Sequence, residues 1–306
     1  MILRREVTGV QVAGTVAVLF LVVLAGAIAR KLNIMTDSVI HGTSRLVTEI
    51  TLPCLTVYSM TQRTFSPELL RDFFLTLGLS FVFILLSIGL GWLIFRKSER
   101  SKRVILSCFC GLSNCGFMGY PVIMAINPDW MIYAVAFNIS YGLIAFSLCV
   151  SLFAGEKRIN LKAALLNVNI IASVIGFILF CFNVGDLGIF GNALNTVGGL
   201  TTPLSMILIG TRITTFRLKD LRDMDTHMVV LLRNLALPLL TYLILLLIPV
   251  GREVRVVIFI LTAMPLGTLV SMLAELYHAD VAFAARTVAW STLLSLGTIP
   301  LMLLLV

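Results

Sequence analysis

The residues best suited to bind a polar ligand lie in one apolar stretch of the sequence, where glycines and a proline surround a single amide. Asn114 stands between Gly111 and Gly116, and Gly119 and Pro121 follow closely. Glycine and proline interrupt helices, and an interrupted helix in a bilayer needs protein, water or a ligand to satisfy its freed backbone groups. The stretch therefore predicts a broken membrane helix with a polar binding site, which is typical of transporters.

A second apolar stretch near the end of the chain has the same character, because Pro265 and Gly267 precede Thr268. The amino end of a half-helix carries partial positive charge and unpaired N–H groups, so two such ends facing one cavity would bind an anion such as a carboxylate. We predict that the two broken helices cross at their breaks and that Asn114 adds an amide donor and acceptor. The alternative is that Asn114 only bridges helices and that the prolines only kink them.

Other residues could complete the walls of this cavity. Asn138 and Tyr141 lie in the apolar stretch that follows Pro121, and Ser291 lies in the last one. Their side chains could supply polar contacts between helices or to a ligand. Pro53 and Thr202 could line the opposite wall, although structural kinking without ligand contact explains the proline equally well.

The composition predicts an all-α membrane protein. The chain has 306 residues, of which 59% are hydrophobic and 12% charged, and its mean hydropathy is +1.03. Apolar stretches long enough to cross about 30 Å of hydrocarbon recur along its whole length. We predict ten transmembrane helices, at 13–29, 38–60, 73–95, 104–126, 130–154, 163–183, 187–211, 228–250, 256–277 and 281–305.

The formal net charge of +8 has a membrane explanation and requires no nucleic-acid partner. Lysine and arginine are concentrated in the short loops that follow the odd-numbered spans. The positive-inside rule places such loops in the cytoplasm, which puts both termini outside. Five further charges lie inside predicted spans, where an unpaired charge is costly and usually faces protein or water; they are Arg45, Glu49, Arg233, Glu275 and Arg286.

The chain is predicted to consist of two related halves, residues 1–154 and 155–306. At an offset of 150 residues Gly26 aligns with Gly176 and Pro53 with Pro203, and at 151 Asp129 aligns with Asp280. Each half holds five predicted spans, and because five is odd the second half enters the membrane from the opposite side. The fourth and ninth spans, which hold the two breaks, are then equivalent. Coincidental matching within an apolar sequence is the alternative.

We expect no enzymatic activity, metal or cofactor, although a coupling ion such as H⁺ or Na⁺ is compatible with the sequence. No His-Glu-x-x-His metal motif and no phosphate-binding loop occur in the sequence. The stretch around Ser113 approaches a serine nucleophile motif, but its glycine spacing is one residue too long. The six cysteines all fall within predicted spans, where free thiols behave as small hydrophobic groups.

The segment from Asn114 to Pro121 resembles the Asn-x-Gly-Phe-x-Gly-x-Pro motif of the auxin efflux carrier family, whose bacterial members are often described as malate or malonate permeases. Leu52-Pro53-Cys54-Leu55 is similar to the second span of that family. Pro203-Leu204-Ser205-Met206 is similar to its seventh span, and Ala263-Met264-Pro265 to its ninth. The resemblance therefore extends over nearly the whole chain.

The resemblance implies a homodimeric secondary transporter of the bacterial inner membrane that moves a small organic anion by elevator-like alternating access. It implies a scaffold of helices 1, 2, 6 and 7 and a transport unit of helices 3–5 and 8–10. Pro121 and Pro265 correspond to the crossover prolines of the family, and Asn114 to its substrate amide. Plant members carry a second amide after the ninth-span proline, where this chain has Leu266, Gly267 and Thr268. This difference argues against auxin as the substrate.

Alternatives from other functional classes are left open by the sequence. A channel would be distinguished by rates too fast for conformational cycling, and a membrane enzyme by turnover of product instead of movement of intact solute. A membrane-embedded sensor or binding subunit could use the same pocket without net transport of its ligand.

Overall fold

The computed structural model describes residues 9–156, 161–214 and 223–305. These residues form helices joined by short connections, and among them the only β-type pairing is one isolated bridge. Four helical stretches are long and apolar enough to cross a membrane, namely 67–94, 128–154, 188–213 and 224–247. Shorter apolar helices lie at 115–126 and 168–181. The prediction of an all-helical protein is therefore confirmed for the described residues, and the length and composition of these helices agree with a membrane protein.

The described part of the first half contains eight α-helices. They are α1 (Gly9–Lys31), α2 (Asp37–Leu46), α3 (Leu52–Thr61), α4 (Pro67–Ile94), α5 (Arg100–Gly111), α6 (Tyr120–Ile126), α7 (Met131–Ile144) and α8 (Val150–Ala154). A 3₁₀ turn at Pro128–Trp130 precedes α7. α4 begins six residues before the predicted third span, because the Ser66 side chain caps its amino end and Pro67 fits the first turn.

The described part of the second half contains nine α-helices. They are α9 (Leu161–Leu165), α10 (Val168–Cys181), α11 (Gly188–Gly199), α12 (Thr201–Ile213), α13 (Met224–Leu231), α14 (Leu237–Leu247), α15 (Arg252–Thr262), α16 (Thr268–Leu276) and α17 (Val281–Leu303). The ends of several helices are capped by acidic or amide side chains. Asp280, for example, accepts a hydrogen bond from the backbone N–H of Phe283 at 2.8 Å.

Prolines explain most of the irregular turns within these helices. Short π-helical turns lie at 47–51, 115–119, 145–149 and 232–236. Three of them directly precede a helix with proline in its first two positions, namely Pro53, Pro121 and Pro238. Proline has no N–H to donate to the carbonyl one turn earlier, so the helix widens before it.

The helices pack in two groups. In the first group α1 packs along α12, and α3 packs against α10 and α11. In the second group α4 packs against α5 and α7, α14 against α15, and α16 against α17. The contact between α12 and α17 joins the groups, and α6, which lies between α5 and α7 in the chain, contacts α1 of the first group.

Two close backbone contacts in the first group are related to each other by an offset of 150 residues. A Cβ at Gly26 would overlap the carbonyl oxygen of Ile207, so α1 and α12 require glycine there. A Cβ at Gly176 would lie 3.3 Å from the Cα of Val57, so α10 and α3 approach at the corresponding place. The two contacts therefore correspond residue by residue, since Gly176 stands 150 positions after Gly26 and Val57 stands 150 positions before Ile207.

Ion pairs connect the helix ends of the second group. Lys102, before the fourth predicted span, binds Asp223 at 2.9 Å and Asp225 at 2.8 Å, and Arg286 lies 3.6 Å from Asp223. Partial burial is the largest single influence on Asp223 and opposes its ionisation. The hydrogen bond and charge of Lys102, the backbone N–H of Asp225 and the charge of Arg286 together outweigh burial and lower the pKa of the carboxyl group. On other loops, Arg63 binds Asp129 at 3.0 Å.

Candidate functional site

The two predicted breaks lie against each other. The backbone N–H of Asn114 donates to the carbonyl oxygen of Pro265 at 2.8 Å, and that of Gly267 donates to the carbonyl oxygen of Leu112 at 2.9 Å. The unwound segment after α5 is therefore paired in antiparallel fashion with the unwound segment after α15. Backbone groups that the breaks release are partly satisfied by the other break, as the bilayer interior requires.

Glycine makes this close pairing possible. A Cβ at Gly267 would lie 2.9 Å from the carbonyl oxygen of Leu112 and 3.1 Å from that of Ser113. The same Cβ would lie 3.2 Å from the hydroxyl of Tyr141, which places this predicted site residue beside the pairing. At Gly119, a Cβ would lie 2.5 Å from a methyl group of Leu261, so α15 packs directly on the π-helical turn. Both glycines therefore serve packing between the broken helices.

A buried side-chain network holds the second break. The hydroxyl of Ser291 accepts a hydrogen bond from the N–H of Leu266 at 3.0 Å and donates to Oδ1 of Asn234 at 2.7 Å. The amide nitrogen of Asn234 donates to the carbonyl oxygen of Ser291 at 2.9 Å. The sequence predicts that Ser291 makes polar contacts between helices or to a ligand; in the structure its hydroxyl makes contacts between helices and positions the break.

Asn234 was missed by the sequence predictions. It is fully buried on the π-helical turn 232–236, beside Arg233. An amide next to an arginine inside an apolar span is the sequence signal that could have identified it.

The break in the first half ends at Asn114, which is 4% exposed. Its carbonyl oxygen accepts hydrogen bonds from Met118 and Gly119, both at 3.1 Å, and so starts the second half-helix. The first N–H groups of that half-helix have no acceptor one turn earlier, and the same is true for α16, which begins at Thr268. Because the breaks are paired, the two positive helix ends lie on neighbouring segments.

One side of this region faces the first group of helices. A Cβ at Gly116 would touch Leu52 at 3.4 Å, and α12 packs against the turn 115–119. Pro53 is buried next to Leu52, and Thr202 is half-buried on α12. Pro121 is buried within the first two positions of α6. The predicted site residues of both groups therefore border the same boundary.

Several polar groups near the breaks have unused hydrogen-bonding capacity. The thiol of Cys115 donates to Oδ1 of Asn138 at 3.5 Å, which brings α7 to the first break. The buried hydroxyls of Thr56, Ser113 and Tyr120 make no hydrogen bond of good geometry among the described residues, although Tyr120 lies beside Thr56 and Asn138 and Ser113 lies beside Cys115. Buried polar groups without partners are rare in proteins, so they mark a place where a polar ligand can bind.

The charges inside the predicted spans have different surroundings. Arg45 pairs with Glu49 at 3.1 Å on an exposed surface, and Arg286 belongs to the ion-pair cluster of Asp223. Glu275 is exposed. Arg233, in contrast, is only 1% exposed, and its Nη1 donates to the carbonyl oxygen of Cys110 at 2.9 Å. Among the described residues, no group of three potential ligands from His, Cys, Asp and Glu is placed to bind a metal ion.

Comparison with known proteins agrees with this picture of a membrane carrier. The family described as "Membrane transport protein" matches residues 11–163 and 157–303, which together make up most of the chain. The chain therefore belongs to this family, and its resemblance to the auxin efflux carriers is confirmed.

A curated relative from Methanothermobacter thermautotrophicus (strain Delta H) carries the name "Uncharacterized transporter". It is 28% identical over 296 residues, which cover 94% of this chain and 96% of the relative. The protein is accordingly a transporter and not an enzyme, as the sequence predicted.

Proposed function

We propose that this protein is a secondary transporter of a small organic anion that carries a carboxylate. The observation that carries the proposal is the pairing of Asn114 with Pro265 and of Gly267 with Leu112. It brings two half-helix amino ends together, and such ends attract anionic groups inside a membrane. Asn114, Asn138, Tyr141 and Thr268 supply the polar side chains around this place.

The ten-span inverted repeat, with halves at 1–154 and 155–306, is part of the proposal. The paired contacts of Gly26 with Ile207 and of Gly176 with Val57 support it, because a two-fold relation between the halves generates each contact from the other. Among the described residues, ion pairs between different loops join two loops that both follow odd spans or both follow even spans. Lys102 and Asp223 both follow odd spans, and Arg63 and Asp129 both follow even spans. Two loops that form an ion pair must lie on the same side of the membrane, and in the proposed topology these loops do.

Alternating access is proposed to occur by movement of one helix group against the other. The first group corresponds to helices 1, 2, 6 and 7, and the second to helices 3–5 and 8–10. The candidate site lies on the second group and faces Leu52 and α12 of the first. An elevator-like displacement along this boundary would carry the site across the membrane without unfolding either group.

The remaining features follow from the resemblance and from the distribution of positive charge. We propose a homodimer that contacts through the first group, in the inner membrane of a bacterial cell. Both termini would lie outside the cytoplasm, because the basic loops follow the odd spans.

Counterflow in proteoliposomes tests the proposed function. Vesicles containing the purified protein are loaded with unlabelled malate, malonate or a monocarboxylate, and uptake of the same labelled acid is followed. We expect exchange of at least one of these acids and a strong loss of flux in Asn114→Ala. Asn195→Ala, at an exposed position on α11, serves as the control and keeps the flux of the wild type.

The outcome of this experiment distinguishes a transporter from a sensor or binding subunit and tests the role of Asn114. A labelled acid that binds but never enters the vesicles supports a sensor or binding subunit instead. Equal flux in Asn114→Ala and the wild type removes Asn114 from the site.

A further inference from the structure

Arg233 has an unusual environment for a charged residue. Its side chain is 1% exposed, and none of the ion pairs found between described residues includes it. Only Nη1 has a hydrogen-bond partner, the carbonyl oxygen of Cys110 at 2.9 Å, while Nε and Nη2 have none among the described residues. An arginine keeps its proton inside proteins, so the group is a buried positive charge without a carboxylate.

The surroundings of this charge have partial negative character. Arg233 lines a gap together with Gly111, the last residue of α5, and Thr262, the last residue of α15. The rest of the lining consists of Phe83, Ile84, Ser87 and Phe137, so the helix ends supply most of its polar groups. Helix carboxyl ends present carbonyl oxygens without intrahelical donors and carry about half a negative charge each. The guanidinium group therefore lies beside the carboxyl ends of both broken helices and binds a carbonyl oxygen of the first, while the amino ends of the following half-helices begin after the paired segments.

The turn that carries Arg233 also holds the second broken helix. Arg233 binds the carbonyl of Cys110 in the first broken helix, and Asn234 binds Ser291, whose hydroxyl holds the N–H of Leu266. Two consecutive residues thus fix both breaks. Such π-helical turns are frequently found at functional sites.

We infer that the Arg233 side chain is a permanent cation of the transport site. It compensates the partial negative charge of the two helix carboxyl ends, as a bound alkali ion between them would. This inference rests on the proposed anion transport. A second cation at this place would be repelled by the guanidinium group at low dielectric. Anion transport therefore needs no Na⁺ or K⁺ in this gap, and removal of the side chain leaves a place that accepts a small cation.

Binding of free guanidinium tests the inference without any transported substrate. The full-length Arg233→Ala protein is purified and its melting temperature is measured with millimolar guanidinium chloride or choline chloride. We expect guanidinium, but not choline, to raise the melting temperature of Arg233→Ala and to leave that of the wild type unchanged, because only the variant has a vacant cation position. Identical responses of the two proteins would overturn the inference.

Two further variants distinguish the effect of the charge of Arg233 from that of its hydrogen bond. They test the inference even if Arg233→Ala does not fold. Arg233→Lys keeps the positive charge, and Arg233→Gln keeps a donor of similar length without charge. In malonate counterflow we expect Arg233→Lys to retain more flux than Arg233→Gln by roughly tenfold, the size of one lost charge-assisted contact. Wild-type flux in Arg233→Gln shows that the charge is not used and contradicts the inference.

In a third experiment, all Na⁺ and K⁺ in the counterflow assay are replaced by choline, and malonate exchange is compared between the two media. The wild type is expected to exchange malonate equally well in both media, and a requirement for Na⁺ or K⁺ overturns the inference. If the wild type moves no carboxylate at all while guanidinium still stabilises Arg233→Ala, the proposed substrate class fails and the cation position stands.

Discussion

The hydroxyl of Thr201 donates a hydrogen bond to the hydroxyl of Thr51 at 2.9 Å, although the two residues are 150 positions apart. The same offset relates Gly26 to Gly176 and the two backbone contacts that they make. In the proposed inverted repeat, a residue that touches its own counterpart lies close to the two-fold axis between the halves. At the neighbouring offset of 151, Asn114 bonds to Pro265, so the paired breaks lie near the same axis.

The Thr51–Thr201 contact predicts non-additive changes in stability. Both side chains are fully buried, so Thr51→Val or Thr201→Val alone leaves one hydroxyl without its partner. Each single variant should lose about 1–3 kcal/mol, whereas the double variant replaces both groups by methyls of the same shape and should be close to the wild type. Thermal unfolding of the four proteins in one detergent measures this coupling. Simple addition of the two single effects would contradict the contact.

Gly267 predicts a strong effect of a single methyl group. Gly267→Ala places a carbon 2.9 Å from the carbonyl oxygen of Leu112, so the paired segments must separate. We expect a loss of about 1–3 kcal/mol, as found for overpacked cores, together with loss of anion exchange. Gly89→Ala is the control, since nothing lies within 4 Å of a Cβ there. The measurements are the melting temperature and the counterflow rate, and normal values for both in Gly267→Ala refute the expected clash.

Local sequence signals predicted the positions of the breaks and not what satisfies them. Proline and glycine act on their own helix turn, so the interruptions after Gly111 and before Gly267 follow from residue types alone. The partners of the freed groups come from distant parts of the chain, as with Leu266 and Ser291. Such pairs depend on how the helices pack, which a single sequence does not specify.

Equivalent residues of the two halves also differ in ways that the sequence comparison did not reveal. Pro53 and Pro203 align at the offset of 150 residues, which predicts a similar interruption of the helix at both prolines. Pro53 is buried and follows a π-helical turn, whereas Pro203 is exposed and lies in the first turn of α12. Proline is tolerated there because the first N–H groups of a helix have no intrahelical acceptor. An aligned proline thus does not have the same structural effect in both halves.

Ser140 and Ser291 stand 151 positions apart, the offset that also relates Asn114 to Pro265, and they predict different consequences for the same substitution. Ser291→Ala leaves the N–H of Leu266 and the Oδ1 of Asn234 without their partner, so two buried groups are affected. Ser140→Ala removes one hydrogen bond, to the carbonyl oxygen of Leu77. We expect Ser291→Ala to lower stability by about 2 kcal/mol or more and Ser140→Ala by about 1 kcal/mol. Equal shifts in melting temperature would show that Ser291 does not support the break.

The ion pairs of Lys102 predict a stability difference that depends on pH. The pKa of Asp223 is lowered from its unfolded value of 3.8: burial, the largest single influence, opposes this, but the hydrogen bond and charge of Lys102 outweigh it together with the backbone N–H of Asp225 and the charge of Arg286. A carboxyl group whose pKa is lowered by folding stabilises the protein above the unfolded pKa, and this contribution is lost as the pH falls through the folded pKa. Asp223→Asn should therefore melt below the wild type at pH 7, by a modest amount because the site is partly exposed to solvent. The two melting temperatures should converge as the pH falls below 3.8, and a difference that is constant across this range would show that the charge of Asp223 does not contribute.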